Sequence, residues 1–259
     1  MIKVAVGGAT GKLGKMVCDL ISASDEMELC GALVSQSGGN VGRELYPGIF
    51  ATGPDGLKKV LDNTDVYVDL TSPEAAAKII ADIPSTNTNV VLGTTAVPGD
   101  VLKKMSDNVK RHGTSAIVSA NFSRGVNVFW KMCGEMAKYL PDYDIEIIEA
   151  HHGGKRDAPS GTTSETLRIL QSSTDIENVV NGREGAVGAR AREIGVHAIR
   201  AGDIVGDHTV MFAKNMERLE IAHKAVSREI SAKGCIDSVR WVANKKDGLV
   251  HSMDEVFGI

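Results

Sequence analysis

Short apolar runs alternate with amphipathic stretches over the first 120 residues of the chain. The runs are rich in Val, Ile and Leu and too short for helices, which is typical of strands buried on both faces of a parallel sheet. They lie at residues 3–6, 29–34, 66–70, 90–92 and 116–118. Helices are predicted between them at residues 12–22, 73–82 and 98–111, the last two opened by proline. This alternation predicts an α/β fold with a Rossmann-type doubly wound parallel sheet.

After Asn121 the pattern changes. A predicted helix and strand lead to a second helix that begins near Ser160, and three closely spaced strands follow. These elements lie at residues 126–139, 144–152, 196–200, 209–214 and 218–223. Strands without helices between them indicate a second α+β domain built on a mixed sheet. The polar, glycine-containing residues 172–193 are predicted to form a long loop, and residues 228–244 are helical again.

The composition excludes several classes of protein. Of 259 residues, 42% are hydrophobic and 24% charged, the net charge is −4, and Lys and Arg form no run that would bind nucleic acid. The N-terminal apolar stretch is broken by glycine after a few residues, so it is not expected to be the apolar segment of a signal peptide. No later run is long enough to span a membrane. Its four cysteines form no CxxC pair, which favours reduced thiols over disulfides or a zinc knuckle. We therefore expect a cytoplasmic protein.

A glycine turn follows the first predicted strand directly. The sequence GGATGKLGK places Gly8, Gly11 and Gly14 three residues apart, a GxxGxxG variant of the usual GxGxxG, with a helix predicted from Lys12. Such a turn lets backbone N–H groups and the positive end of a helix approach a pyrophosphate, while the last glycine permits close packing. Glycine turns also form for purely structural reasons, but this position between first strand and first helix favours a dinucleotide site.

The densest chemistry lies in residues 146–163, EIIEAHHGGKRDAPSGTT. His151 and His152, at the end of a predicted strand, point to opposite faces, so the pair is unsuited to chelating one ion, and no HExxH spacing occurs. We expect no metal. Two glycines and then Lys155 and its charged neighbours follow, a pattern typical of a site for proton transfer and for negative charge.

The next residues are predicted to enter a helix. Thr162 and Glu165 have the spacing of a capping box, which an ordinary capped helix would also show. The N–H groups of Gly161 and Thr162, beside Lys155, would in addition make a cradle for a carboxylate.

Taken in order, these segments resemble the dihydrodipicolinate reductase family, whose members reduce the cyclic product of the preceding synthase in lysine and diaminopimelate biosynthesis. The matching segments are GGATGKLG, DLTSPE at 69–74, GTT at 93–95, SANFSRGVNV at 119–128, EAHHGGKRDAPSGT, REG at 183–185, IRAGDIVGDHTVMF at 199–212 and ERLEIAHKA at 217–225. Such an ordered series is far more specific than any single motif.

The resemblance implies a hydride delivered from NADH or NADPH to the substrate ring carbon that has lost its hydroxyl as water. His151 matches the family's general acid, and Lys155 matches the group that steadies developing charge on the ring nitrogen. His152, Gly161 and Thr162 fall on substrate-binding positions, and Arg228 is a further candidate. The candidate cofactor-binding residues are Gly8, Ala9, Thr10, Gly11, Lys12, Leu13, Gly14, Ser35, Gln36, Gly93, Thr94, Thr95, Ser119, Ala120, Asn121 and Phe122. Those at 93–95 and 119–122 match segments that lie against the nicotinamide.

The chain departs from the usual dinucleotide pattern at one place. About 20 residues after the glycine turn, a carboxylate normally holds the adenosine ribose. This chain has Val34, Ser35 and Gln36 there instead, so the choice between NADH and NADPH stays open.

We expect a dinucleotide-binding domain at residues 1–122, a substrate-binding and oligomerisation domain at 123–227, and a C-terminal segment, 228–259, that returns to the first domain. The family's usual members are tetramers, so a homotetramer acting on a small dicarboxylate is expected. Two alternatives remain: a related reductase of another cyclic imine or keto acid, because a fold does not define a substrate, and a non-catalytic dinucleotide-sensing protein.

Overall fold

The computed structural model describes residues 1–259. Its strands, in chain order, are β1 (Ile2–Gly7), β2 (Met27–Leu33), β3 (Glu44–Tyr46), β4 (Ile49–Thr52), β5 (Val66–Asp69), β6 (Asn89–Leu92), β7 (Ala116–Val118), β8 (Asp144–His151), β9 (Val179–Asn181), β10 (Ile194–Arg200), β11 (Gly206–Lys214), β12 (Glu217–Ala225) and β13 (Val250–His251). Its α-helices are α1 (Lys12–Ser22), α2 (Leu57–Leu61), α3 (Pro73–Ile79), α4 (Gly99–His112), α5 (Arg124–Tyr139), α6 (Gly161–Ser173), α7 (Glu229–Ala243) and α8 (Met253–Phe257). None of the helices has both the length and the apolar composition needed to cross a bilayer.

The chain divides into two compact units. Unit 1 comprises residues 1–124 and 229–258, and unit 2 comprises residues 125–228 with Ile259. Helix α7 lies in unit 1, where it packs against α1.

Unit 1 is built on one eight-stranded sheet. The strand order is β13-β7-β6-β5-β1-β2-β4-β3, and every pairing is parallel except that of β3 with β4. The chain moves outward from β1 to β2 and later returns to place β5 on the other side of β1. The predicted Rossmann-type sheet is therefore confirmed, with its switch point between β1 and β5, where such folds bind ligands.

Helices cover both faces of this sheet. Successive strand residues point to opposite sides, so neighbouring residues pack against different helices. Val4 packs in a hydrophobic cluster with Val17 of α1 and Val239 of α7. Ala5, the next residue, belongs to a second cluster that includes Met105 of α4. Strands enclosed in this way must be apolar on both faces, which is why their sequences are continuous hydrophobic runs.

Unit 2 is built on a five-stranded sheet of order β12-β11-β8-β10-β9. This sheet is mixed, which confirms the predicted fold class. Strand β10 runs parallel to β8 and β9, while β11 runs antiparallel to β8 and β12. Helices α5 and α6 supply the core of one face, with Phe129 and Leu170 packing on Ile145 and Phe212 of the sheet. Burial alternates along β8, so Glu149 and His151 lie on the same covered face as Ile145.

The structure corrects several predicted elements. Residues 172–193 are not loop throughout, because α6 extends to Ser173 and β9 pairs with β10. Helix α3 ends at Ile79 rather than at residue 82, and Pro98 is the N-cap of α4 rather than its first residue. The hairpin of β3 and β4 and the short elements α2, α8 and β13 were not predicted.

Candidate active site

The glycine turn lies between β1 and α1 and is packed too tightly for other residues. Gly8 has a φ of +78°, and a Cβ there would lie 2.3 Å from the Leu70 carbonyl oxygen. A Cβ on Gly14 would lie 2.1 Å from the carbonyl oxygen of Gly8. This turn, with Gly11 as N-cap of α1, leaves Thr10 and Lys12 exposed, so a pyrophosphate has room to approach the helix start.

Further candidate cofactor residues follow β6 and β7 at the same edge of the sheet. Gly93 allows the ring of Phe122 to approach, since a Cβ would lie 2.5 Å from that ring. Phe122 is itself only 2% exposed, so its side chain supports this segment from within the core. After β7, Ser119 Oγ donates a 2.7 Å hydrogen bond to the Asn121 carbonyl oxygen, which holds the loop in a turn.

A buried carboxylate ties two of these loops together. Asp69, at the end of β5, is fully buried and accepts hydrogen bonds from the hydroxyls of Thr71 (2.7 Å), Thr94 (2.6 Å) and Tyr67 (3.2 Å). Thr94 Oγ1 also accepts a 2.9 Å bond from the Thr71 backbone N–H. Asp69 therefore fixes the loop at 93–95, a role that the sequence prediction missed. A carboxylate within the apolar run VYVDL at residues 66–70 was the available signal.

After β2 and the buried Val34, the chain is exposed and carries no negative charge at the next residues. Ser35 and Gln36 follow the strand, and Arg43 lies in the connection to β3, where its guanidinium donates to Asn40 Oδ1 at 3.2 Å. The Gly8 and Ala9 N–H groups both donate to the carbonyl oxygen of Leu33, so the glycine turn and the end of β2 are adjacent.

His151 ends β8 and is 9% exposed. Its Nδ1 lies 3.1 Å from the Val205 carbonyl oxygen, which only accepts, so Nδ1 carries a proton and Nε2 is the titrating nitrogen. Nε2 is buried without a hydrogen-bond partner, 3.9 Å from Glu149 Oε2. Burial, together with the charges of Lys155 and Arg200, lowers the pKa of His151 despite the opposing effects of Val205 and Glu149.

Lys155 lies in the loop after β8 with one fifth of its side chain exposed. Its Nζ donates to both carboxylate oxygens of Asp157, at 2.8 and 2.7 Å. That interaction with Lys155 lowers the pKa of Asp157 and so favours its ionised carboxylate. A substrate anion would compete with Asp157 for the ammonium group.

The start of α6 differs from the prediction in its capping. Ser160 is the N-cap, and its Oγ accepts a 3.2 Å hydrogen bond from the Thr163 N–H, so Thr162 and Glu165 form no capping box. Gly161 and Thr162 are the first two helical residues, and a Cβ on Gly161 would meet nothing within 4 Å. Their N–H groups lie at the positive end of the α6 dipole, which suits a carboxylate.

The structure brings two other candidates together. Arg228 Nη2 lies 3.0 Å from His152 Nε2, and both residues are in unit 2. Because arginine has no acceptor, it donates to the imidazole, which leaves the rest of its guanidinium available to an anion.

Three further polar residues lie close to the His151 side chain and were not predicted as site residues. Glu149, Arg200 and His208 are buried or nearly so, and potential ligand atoms of Glu149, His151 and His208 lie within 4.8 Å of one another. Glu149 already pairs with Arg200, whose positive charge opposes a cation at this place. The period-two spacing of Ile145, Ile147 and Glu149 along the strand was the signal that could have placed Glu149 on the covered face.

Family models match both parts of the chain. Residues 2–122 match the model described as dihydrodipicolinate reductase, N-terminus, and residues 125–257 match that described as dihydrodipicolinate reductase, C-terminus. This chain belongs to the dihydrodipicolinate reductase family. The family resemblance found in the sequence is thereby confirmed.

Individual members of the dihydrodipicolinate reductase family match over the full length. The chain is 40% identical over 268 residues to the 4-hydroxy-tetrahydrodipicolinate reductase of Methanosarcina acetivorans, covering 100% of both chains. It is 39% identical over 272 residues, with the same coverage, to the enzyme of that name in Methanothermobacter thermautotrophicus. A dipicolinate-bound dihydrodipicolinate reductase from Paenisporosarcina sp. TG-14 has a similar structure, with a TM-score of 0.80, 25% identity, and coverage of 98% of this chain and 99% of that one.

Proposed function

We propose that this chain reduces 4-hydroxy-tetrahydrodipicolinate to tetrahydrodipicolinate with NADPH or NADH, releasing water, in lysine and diaminopimelate biosynthesis. The observation that carries the proposal is the full-length match to relatives named 4-hydroxy-tetrahydrodipicolinate reductase. The chain is accordingly an NAD(P)H-dependent oxidoreductase, and a substrate-dependent loss of NAD(P)H absorbance is the direct test. No oxidation in the presence of 4-hydroxy-tetrahydrodipicolinate would refute the proposal.

Unit 1 has the features that a dinucleotide requires. The glycine turn is a cradle that a Cβ at Gly8 or Gly14 would disrupt, and the adjoining helix start offers N–H groups to a pyrophosphate. The loops at 93–95 and 119–122 would then face the nicotinamide, with Asp69 holding the first of them. When bound, the reduced nicotinamide supplies the hydride.

In unit 2, we assign His151 as the general acid and Lys155 as the cation that stabilises charge on the ring nitrogen. Because Nδ1 of His151 donates to Val205, the transferable proton is on Nε2. Nε2 faces Glu149 and is shielded from solvent in this structure, so protonating a substrate carbon requires the imidazole or its neighbours to shift.

The first prediction concerns the charge of the substrate. The N–H groups of Gly161 and Thr162, with Lys155 nearby, would receive one carboxylate. His152 and Arg228 would receive the other. Dipicolinate, which is bound in the structure of the Paenisporosarcina family member, should therefore compete with substrate here. Picolinate lacks one of the two carboxylates, so its inhibition constant in steady-state assays should be higher than that of dipicolinate by about tenfold or more. Equal inhibition by the monocarboxylate would rule out a site for two anions.

The second prediction is that NADPH is accepted at least as well as NADH. A carboxylate after β2 would bond the ribose hydroxyls of NADH and repel the 2′-phosphate of NADPH, and Ser35 and Gln36 carry no such charge. Lys12, exposed at the start of α1, would contribute a favourable charge. One charge-assisted hydrogen bond is typically worth about 1.5–3 kcal/mol, or roughly tenfold or more in affinity.

Michaelis constants for both cofactors test this prediction. Lys12→Ala should raise the NADPH value by about tenfold and leave the NADH value nearly unchanged. Ser35→Glu should shift preference toward NADH. Lys15→Ala is the matched control, because Lys15 lies one turn further along α1 and pairs with Asp19. A wild-type protein strongly selective for NADH would contradict the inference.

We further propose that the chain forms a homotetramer through unit 2. Strand β12 pairs only with β11, so its outer edge is unpaired, and Ile199 of β10 is 47% exposed. Proteins seldom leave long edges and apolar sheet surfaces uncovered. A tetramer with two-fold axes would cover them. Light scattering at micromolar concentration should give the mass of four chains, and the mass of one chain would contradict the proposal.

A further inference from the structure

Glu149 occupies a central position in unit 2. It lies on β8 two residues before His151, on the same covered face, and its side chain is fully buried. Three donors surround the carboxylate: the Ser160 N–H at 2.9 Å, the Thr163 hydroxyl at 2.7 Å and the Arg200 guanidinium at 2.7 Å. Buried carboxylates are costly unless paired and hydrogen-bonded in this way.

These donors connect Glu149 to the candidate substrate cradle. Ser160 is the N-cap of α6 and Thr163 lies in its first turn, so the carboxylate fixes the helix start that presents the Gly161 and Thr162 N–H groups. Arg200 ends β10 and also donates to the Asp157 carbonyl oxygen at 2.6 Å. The C-terminal half of the loop between β8 and α6 is therefore held at Asp157 by Arg200 and at Ser160 by Glu149.

The same carboxylate faces the candidate general acid. Glu149 Oε2 lies 3.9 Å from His151 Nε2 and 3.9 Å from His208 Nε2. The two imidazoles are in edge-to-face contact, with centroids 5.2 Å apart. At 3.9 Å, Glu149 and His151 form no hydrogen bond, so the carboxylate acts on the imidazole through its charge.

The Glu149 carboxylate is ionised near pH 7. Burial raises its pKa, but the hydrogen bonds from Ser160, Thr163 and Arg200 outweigh burial and hold it at about 2. The pKa of His208 falls to about 4, mainly through burial, so His208 is neutral near pH 7. The cations Lys155 and Arg200 disfavour the imidazolium of His151, Asp157 neutralises part of the effect of Lys155, and Glu149 is the carboxylate beside Nε2.

We propose that Glu149 is a positioning residue for the reduction, with two effects: it holds the start of α6 that receives the substrate carboxylate, and it stabilises the protonated form of His151. The proposal rests on the proposed function for its catalytic consequence. It does not make Glu149 a proton donor, since the carboxylate stays ionised and buried.

Two substitutions separate the two effects. Glu149→Gln keeps the side-chain length and removes the charge, so the pH above which kcat/KM declines should move lower by about one unit, the low end of the usual effect of a neighbouring opposite charge. Glu149→Asp keeps the charge but withdraws the carboxylate from its donors, so KM should rise by about tenfold while the pH limb shifts less. The matched control is Glu146→Gln, a carboxylate on the same strand but the other face, paired with Arg183 and Arg190, which should leave the limb unchanged.

NMR titration of the His151 ring, assigned with His151→Gln, measures the charge effect without the reaction. The pKa of His151 should fall in Glu149→Gln and stay near the wild-type value in Glu146→Gln. If Glu149→Gln fails to fold, Glu149→Asp provides the test through its rise in KM. An unshifted His151 pKa in folded Glu149→Gln, or an unchanged KM in Glu149→Asp, would overturn the proposal. Failure of the proposed function would appear separately, as absence of turnover in the wild type.

Discussion

Replacing His151 with glutamine should lower kcat by about 10²- to 10⁴-fold, the usual contribution of a general acid. Glutamine has a similar size and a polar amide, but it has no transferable proton. The KM for NADPH should change little, since His151 lies in unit 2 and the glycine turn lies in unit 1. Steady-state kinetics with both substrates varied provides the measurement.

The control and the pH profile make the His151 assignment specific. His112 is an exposed histidine at the end of α4, and the control substitution His112→Gln should leave kcat unchanged. Because the imidazolium is the active form, wild-type kcat/KM should fall as pH rises through the pKa of His151, which burial, Lys155 and Arg200 lower. The decline should therefore begin at lower pH than an exposed histidine would give. A glutamine variant with near-normal turnover would disprove the role of His151.

Lys155→Ala should reduce kcat/KM by about 10- to 100-fold, the usual size of one charge-assisted interaction with an anion or with a developing charge. The substitution also leaves Asp157 without its cation, which adds repulsion toward a dicarboxylate. Arg156→Ala removes the exposed neighbouring cation and should have a much smaller effect. Retention of full activity in Lys155→Ala would exclude the proposed interaction.

The double variant His151→Gln/Lys155→Ala tests whether the two groups act together. If they support the same transition state, the combined reduction in kcat/KM should be smaller than the product of the two single reductions. Fully multiplicative reductions would indicate that the two side chains contribute independently.

Local pattern predicted the regular elements whose apolar residues recur with a clear period or form a continuous run. The predicted helix at 12–22 coincides with α1, whose buried residues recur at helical spacing. The predicted strand at 116–118 coincides with β7, because burial on both faces requires continuous apolar residues. The missed elements are short and half-exposed. The β3–β4 hairpin and β9 exist because they pair with existing sheet edges, and no local periodicity records such pairing.

The parallel and mixed sheets and the family were predicted from the sequence alone, which also supplied the candidate residues of one contiguous segment, such as His151 and Lys155. These properties depend on local periodicity and on short motifs, which a linear chain displays directly. The surroundings of those residues became visible only in the folded chain. Asp69 bonds to Thr94, 25 residues later in the chain, and Glu149 bonds to Arg200, 51 residues later. In each case two neighbouring parallel strands bring the carboxylate and its donor together. A carboxylate that is costly to bury must find hydrogen-bond donors, and the sequence shows neither its burial nor its donors. The positioning roles of Asp69 and Glu149 could therefore be inferred only from the folded structure.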